Sequence, residues 1–237
     1  MQVYFVTAGK REELQVIKEL KPPRILCSYW YFKNKPLAKL CDEIEYHPEI
    51  MLDSGAYSAE KKGKELDVTA YINYIKANKK YISRYVTMDV IGDSQTTRKL
   101  YKVMKQHELD PIPVIHYGAD IKEEMKWYTR QGVNLIALGG TVKVRDKKVV
   151  AKWCIEIKQM YPNCRFHLLG SSSTQILQSG ALDSSDASTW YIAAVNGSPL
   201  TIPGRNREAK IARAKVNMQR KMEEINEVSL SITDCCI

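Results

Sequence analysis

Asp53, Asp89, Asp183 and Asp186 each stand at or near the end of a short apolar segment, and glycines occupy comparable places in Ser54-Gly55 and Gly139-Gly140. A polar group just past a strand end is where a parallel α/β protein carries its chemistry, so carboxylates from well-separated segments suggest one site assembled by the fold. A free carboxylate is a competent nucleophile at a sugar carbon, because the transition state resembles an oxocarbenium ion that a nearby anion also stabilises. A second carboxyl in another environment can carry protons, since differing surroundings separate the pKa values. The pattern fits glycosyl chemistry and also metal-assisted hydrolysis, and the local sequence leaves both open.

Asp53 ends Glu-Ile-Met-Leu and begins Ser-Gly-Ala-Tyr57, where Ser54 can donate a hydrogen bond and Gly55 permits a tight turn or close approach of backbone to ligand. Asp89 follows Tyr85–Met88, and Asp93 reads as a helix cap, which leaves Asp89 as the site candidate. His116, after Pro113-Val-Ile, can serve as acid, base or neutral hydrogen-bonding group. His167, inside Arg165-Phe-His-Leu-Leu-Gly170, reads as a structural histidine with its hydrogen bonds satisfied. Gly139-Gly140 offers bare backbone suited to a flat ligand, and Asp183 and Asp186 sit in a polar stretch that runs to Trp190.

The elements that must position these residues are apolar runs at Val3–Val6, Ile25–Ser28, Ile50–Leu52, Tyr85–Met88, Ile112–Ile115, Leu135–Leu138, Phe166–Leu169 and Ala181–Leu182. Amphipathic stretches at Val68–Lys79, Ser94–His107, Ile121–Gln131 and Lys147–Tyr161 lie between several of them. Eight strands alternating with helices predict an irregular (β/α)8 TIM barrel over residues 1–204, with an open doubly wound sheet as the alternative. No G-x-G-x-x-G follows the first strand, which weakens a dinucleotide-binding reading. Pro22-Pro23, Lys35-Pro36 and His47-Pro48 make the first two units irregular. Residues 205–237 form a basic helix, Asn206–Glu227, and a tail packed on the barrel, with Ile211, Ala214 and Met218 as its buried face. A charged helix face is usually just solvated; Arg205, Arg207, Lys210 and Arg213 are its candidates for phosphate contact.

The chain has 237 residues, 44% of them hydrophobic, enough for a substantial core. No apolar run is long enough to span a membrane, and the N-terminus reads as a first strand, not a signal peptide. The six cysteines lack zinc-site spacing, and Cys235 and Cys236 are adjacent in the tail, so reduced thiols of a cytoplasmic protein are expected and no metal. The net charge of +9 favours a polyanionic partner.

At the same residues the chain resembles the tRNA-guanine transglycosylase superfamily. Asp53-Ser-Gly-Ala-Tyr57 is similar to the family's Asp-Ser-Gly-Gly-Phe, and Met88-Asp89 to the segment whose aspartate recognises the guanine edge. Ile136-Ala-Leu-Gly-Gly140 resembles the glycine-rich strand end that contacts the base, and His167-Leu-Leu-Gly170 resembles Tyr-Leu-Met-Gly. Asp183-x-x-Asp186 keeps the spacing of the family's Asp-x-x-Asp. These matches fall in one order across residues 53–190. The resemblance implies Asp186 as nucleophile, Asp53 as general acid/base, and Ser54, Gly55, Asp89, His116, Gly139, Gly140 and Asp183 as base-binding groups.

His116 stands where the family usually has glutamine, and the Cys-x-Cys-x-x-Cys…His zinc module of bacterial members has no counterpart. A short, zinc-free chain resembles the transglycosylases of phages and bacteria that place 7-deazaguanines in DNA. It implies exchange of guanine in DNA for a preQ0- or preQ1-like base, with no cofactor and, for a phage protein, in the host cytoplasm. The same exchange on tRNA and a non-catalytic nucleic-acid-binding barrel are the alternatives.

Overall fold

The structure, a computed structural model, describes residues 1–234; Cys235 and Cys236, expected in a tail, lie outside the described residues. In the first half β1 (Gln2–Thr7) leads to α1 (Arg11–Leu20), and β2 (Arg24–Ser28) to α2 (Tyr29–Phe32) and α3 (Leu37–Ile44). Next, β3 (Glu49–Asp53) leads to α4 (Ala56–Lys61) and α5 (Val68–Ala77), and β4 (Arg84–Tyr85) to α6 (Ser94–Gln106). The second half pairs β5 (Val114–His116) with α7 (Ile121–Thr129) and β6 (Leu135–Gly139) with α8 (Lys147–Met160). Then β7 (Arg165–Leu168) precedes α9 (Thr174–Leu177), and β8 (Ser184–Ala187) precedes α10 (Thr189–Val195) and α11 (Arg207–Asp234).

All strand pairs are parallel, in the order β4-β3-β2-β1-β8-β7-β6-β5. The two ends meet at one bridge, Val86 to Ile112. There Thr87 N–H donates to the Ile112 carbonyl and Ile112 N–H to the Tyr85 carbonyl, both at 2.8 Å. The result is an irregular (β/α)8 barrel whose weakest seam lies between β4 and β5.

Side chains alternate between faces along a strand, so the barrel interior is read in steps of two. Tyr4, Leu26, Met51, Val86, Val114 and Ala137 make one apolar interior layer. At the N-terminal ends of the strands this layer is closed by polar pairs. The Tyr4 hydroxyl donates to Glu49 Oε1 at 2.5 Å, and Glu49 pairs with Arg24 at 3.0 Å and Arg84 at 3.8 Å. Two residues beyond the apolar layer, toward the other mouth, come Val6, Ser28, Asp53, His116 and Gly139. Outside the ring, two apolar clusters seat the helices.

Helix starts follow local chemistry. Asp67, Asp93, Asp120 and Asp146 each accept backbone N–H groups at the start of α5, α6, α7 and α8. Gly132, at φ +77°, turns the chain after α7 as its place in the sequence predicts. Each proline of the first two units lies between elements: Pro22-Pro23 follow α1, Pro36 parts α2 from α3 and so gives the second unit two short helices, and Pro48 precedes β3. Both α1 and α3 end on left-handed residues other than glycine, Lys21 at φ 46° and Glu45 at φ 59°, which hides their termini from a search for glycine.

The eighth strand lies beyond the expected Ala181–Leu182. It is Ser184–Ala187, a polar segment paired with β1 and β7, and its partners, not its propensity, make it a strand.

The C-terminal helix begins near the expected residue but runs to Asp234. Its Ile211, Ala214 and Met218 are buried in the same cluster as β1 and α1. Arg213, expected at phosphate, is instead 2% exposed. Its guanidinium donates to the carbonyls of Ala194 (2.9 Å), Ile202 (2.9 Å) and Gly204 (2.8 Å), tying the loop after α10 to α11. Among the described residues no helix is long and apolar enough to cross a membrane.

Removing the Arg213 donors strands the buried Ala194 carbonyl and frees those of the half-buried Ile202 and the exposed Gly204. Arg213→Met should lower unfolding free energy by about 2–3 kcal/mol, the worth of hydrogen bonds to a buried charged group, in urea titrations. An unchanged midpoint would reject that anchoring role.

Candidate active site

The C-terminal ends of the strands open on a cavity of about 640 Å³, lined by Asp53, Asp89, His116, Gly139, Gly140 and Asp186 among others. That volume suits a nucleoside-sized ligand. Strand geometry brings these residues together. Asp53 is the last residue of β3, His116 of β5 and Gly139 of β6, while Asp186 lies within β8, beside Tyr4 of β1.

Each carboxylate is held differently. Asp53 accepts the Gly55 N–H at 2.9 Å. Burial, followed by repulsion from Asp89 and Asp186, raises its pKa from 3.8 to about 7. Asp89 is buried and doubly held: the Ser54 hydroxyl donates to Oδ1 at 2.7 Å, and His116 Nε2 meets Oδ2 at 2.8 Å. Asp186 Oδ2 accepts the Gly170 N–H at 2.7 Å.

Glycine is required where the chain passes close by. Gly55 sits at φ +81°, and a Cβ there would lie 2.6 Å from Trp30 Cβ and 2.7 Å from Ser28 Oγ. Gly139 lies against the His116 ring, where a Cβ would be 3.2 Å from Cδ2. Ser54 is fully buried, so it acts on the cavity through Asp89.

Asp183 does not join this site. It precedes β8 at the opposite end of the barrel, where its Oδ2 accepts the Phe166 N–H at 2.9 Å. A step of three extended residues sets it roughly 10 Å from Asp186, and the odd step turns it to the other face. Arg205, Arg207 and Lys210 are likewise absent from the cavity wall, and Arg207 faces Glu12 at 3.8 Å. Trp190, at the end of that polar stretch, is buried and donates its Nε1–H to the Val6 carbonyl at 3.1 Å, whereas Tyr57 is exposed on the cavity wall.

Two residues, Glu13 on the cavity wall and His167 behind it, carry weak sequence signals. Glu13 is buried in the first turn of α1, and its Oε2 accepts from the Thr7 hydroxyl (2.8 Å) and the Ala8 N–H (2.7 Å). Burial raises its pKa, against the pull of those donors. Its place three residues after the N-cap Lys10, whose backbone N–H it accepts at 3.4 Å, is the hint in the sequence. His167 stands in the barrel interior with Nε2 at 3.8 Å from Asp186 Oδ2. Around the mouth, Lys10, Lys61, Lys62 and Lys143 are exposed, together with Tyr31 and Tyr57. Among the described residues no three His, Cys, Asp or Glu side chains group to hold a metal ion.

The chain matches no protein-family model and no curated protein. Solved structures share its fold. The carboxyl transferase domain of Rhizobium etli pyruvate carboxylase, with 3-bromopyruvate, has a TM-score of 0.55 at 12% identity, over 94% of this chain and 48% of that one. A protein from Aquifex aeolicus VF5 has a TM-score of 0.53 at 12% identity, covering 96% and 92% of the two chains. For 3-hexulose-6-phosphate synthase the TM-score is 0.52 at 11% identity, with 92% and 99% covered. At such identities the likeness establishes the barrel alone.

The raised pKa of Asp53 has a defined consequence for stability. Folding holds a proton that the unfolded chain would release above about pH 4, so this contribution is complete below that value and is lost as pH rises through about 7. Asn does not titrate. Asp53→Asn should therefore gain on the parent protein between pH 4 and 8, by up to a few kcal/mol at about 1.4 kcal/mol per pH unit. Urea unfolding at each pH measures the difference, and a gap independent of pH would remove the burial argument.

Proposed function

We propose that this chain is a glycosyltransferase that exchanges guanine in DNA for a 7-deazaguanine base through a covalent aspartyl-glycosyl intermediate. The observation that carries the reading is the meeting of Asp53, Asp89 and Asp186, from three separate β-α units, around one cavity of nucleoside size. The resemblance of their surrounding motifs to the transglycosylases supplies the reaction. The barrel fold, which its structural neighbours share with many enzymes, agrees with an enzyme but does not choose the chemistry.

In the first half of the cycle Asp186 attacks C1′ as the bond from C1′ to guanine N9 breaks, and its electron pair leaves with the base. A carboxyl with a pKa near 7 is suited to deliver a proton there and to take one back at neutral pH, which is the part of Asp53. In the second half a 7-deazaguanine gives its N9 proton to Asp53. Its N9 then displaces the carboxylate of Asp186 at C1′. Each half trades one bond at C1′ for another, so the cycle needs no redox cofactor and no nucleotide triphosphate. Asp89, held by Ser54 and His116, keeps lone pairs for the N–H edge of the base, and the Gly139-Gly140 backbone supplies a flat wall. The target nucleotide must leave its stack to reach this depth. The lysines and tyrosines at the mouth suit the flanking strand, with phosphate neutralised by the former and bases stacked on the latter.

Asp186→Asn should abolish exchange of labelled guanine, by about a thousandfold or more, while nucleic-acid affinity stays within a few-fold. Denaturing gels and mass spectrometry should find the trapped adduct on Asp186; an adduct on another residue overturns the assignment. Running DNA and tRNA side by side decides the substrate, and turnover on tRNA alone would refute the DNA reading.

The rim has its own signature. Replacing Lys61 and Lys62 with Ala should flatten the slope of log affinity against log salt concentration by about 1–2, measured by fluorescence anisotropy. An unaltered slope would place the polyanion elsewhere on the surface.

A further inference from the structure

Behind Asp186 lies a polar group with an unmet bond. His167 on β7 is 0% exposed, and its Nδ1 is 2.8 Å from Ser184 Oγ. Its Nε2 has no hydrogen-bond partner among the described residues and stands 3.8 Å from Asp186 Oδ2. The Tyr4 ring meets the imidazole edge-on at 5.8 Å. Ser184 and Asp186 are two residues apart on β8, so one strand presents both partners to the same inward face.

The tautomer follows from the neighbours. If Nδ1 carried the proton and donated it to Ser184, the Nε2 lone pair would face a carboxylate oxygen inside the barrel, which is repulsive. If the Ser184 hydroxyl donates to Nδ1, the ring proton sits on Nε2 and points at Oδ2. A buried donor left unmet is costly, and a shift of less than about 1 Å would bring it to hydrogen-bond distance. Oδ2 is already held by Gly170 N–H at 2.7 Å, which leaves Oδ1 for the sugar.

We propose that His167, locked by Ser184 as the Nε2–H tautomer, is a positioning residue that holds Asp186 Oδ2 and eases departure of the carboxylate from the glycosyl-enzyme. This rests on the reading of Asp186 as nucleophile. In the intermediate Oδ1 is bonded to C1′ and Oδ2 is the ester carbonyl. When N9 of the incoming base bonds to C1′, the bond from C1′ to Oδ1 breaks and its electron pair returns to the carboxylate. Part of that charge falls on Oδ2, where Gly170 N–H and His167 Nε2–H receive it. No proton leaves the imidazole.

The test has two arms. In the first, ¹⁵N-labelled protein is examined by histidine ring NMR, with no turnover required. The Nε2–H tautomer is expected at His167 and should be disturbed in Ser184→Ala; an Nδ1–H tautomer overturns the proposal. In the second, exchange and adduct lifetime are measured. His167→Leu should lower kcat about 10- to 100-fold, the worth of one hydrogen bond to a charged group, with KM within twofold and a longer-lived adduct. His167→Gln, whose amide can donate from nearly the same point, should recover much of the rate. Equal rates in His167→Leu and the parent protein, or a uniform loss that His167→Gln does not relieve, reject it. Should the parent protein exchange no base on DNA or tRNA, the proposed function fails, and the NMR arm alone judges the Ser184 lock.

Discussion

Three carboxylates converge in one cavity, and the rest of the site is arranged around the repulsion among them. Like charges at close range inside protein cannot all be left bare. The chain meets the problem in three ways. Asp53 is pushed toward its neutral form near pH 7 by burial and by the other two. Asp89 is tied to a hydroxyl and an imidazole. Asp186 takes a backbone N–H from Gly170. The glycines belong to the same solution, because Gly55 and Gly170 bring N–H groups to oxygens at φ values that other residues adopt only with strain.

What brings the three together is register. Parallel pairing fixes which residue of each strand stands beside which, and a step of two carries the chain from the apolar layer to the cavity floor. Met51 and Asp53, or Ala137 and Gly139, are such pairs. A shift of one residue would turn every one of these side chains outward. The bridge between Val86 and Ile112 matters for this reason: it completes the ring with one pair of residues, and Asp89 and His116 reach across that same seam to each other.

This arithmetic also sets what could be read from the sequence. Seven of the apolar runs overlap strands, because a buried parallel strand is a short apolar block whatever surrounds it. The eighth fails for the complementary reason. Ser184 to Ala187 has no apolar signal, and only its neighbours β1 and β7 make it a strand. The error there carried Asp183 into the site with Asp186, since a loop would let both point inward whereas a strand cannot. Arg213 misled in a similar way. Its charge suggests solvent or phosphate, but one carbonyl of α10 and two of the loop before α11 claim it. Asp53, His116 and Gly139 were legible because each ends a strand, where position alone fixes direction, and Asp89 because it follows closely on the apolar run that holds β4.

His167 marks the limit of reading one residue at a time. Within Arg165-Phe-His-Leu-Leu-Gly170 it looks like a core residue, and by burial it is one. Its other character comes from Ser184 and Asp186, seventeen and nineteen residues away and on a strand the apolar pattern hides. A buried imidazole with one nitrogen bonded and the other facing a carboxylate is a poor way to build a core, because an apolar side chain would fill the space without an unmet donor. Its presence is better explained by a change of charge at Asp186, which is large only when a bond to that oxygen pair forms and breaks. The proposed covalent cycle supplies such a change twice per turnover; a barrel that merely bound nucleic acid would supply none.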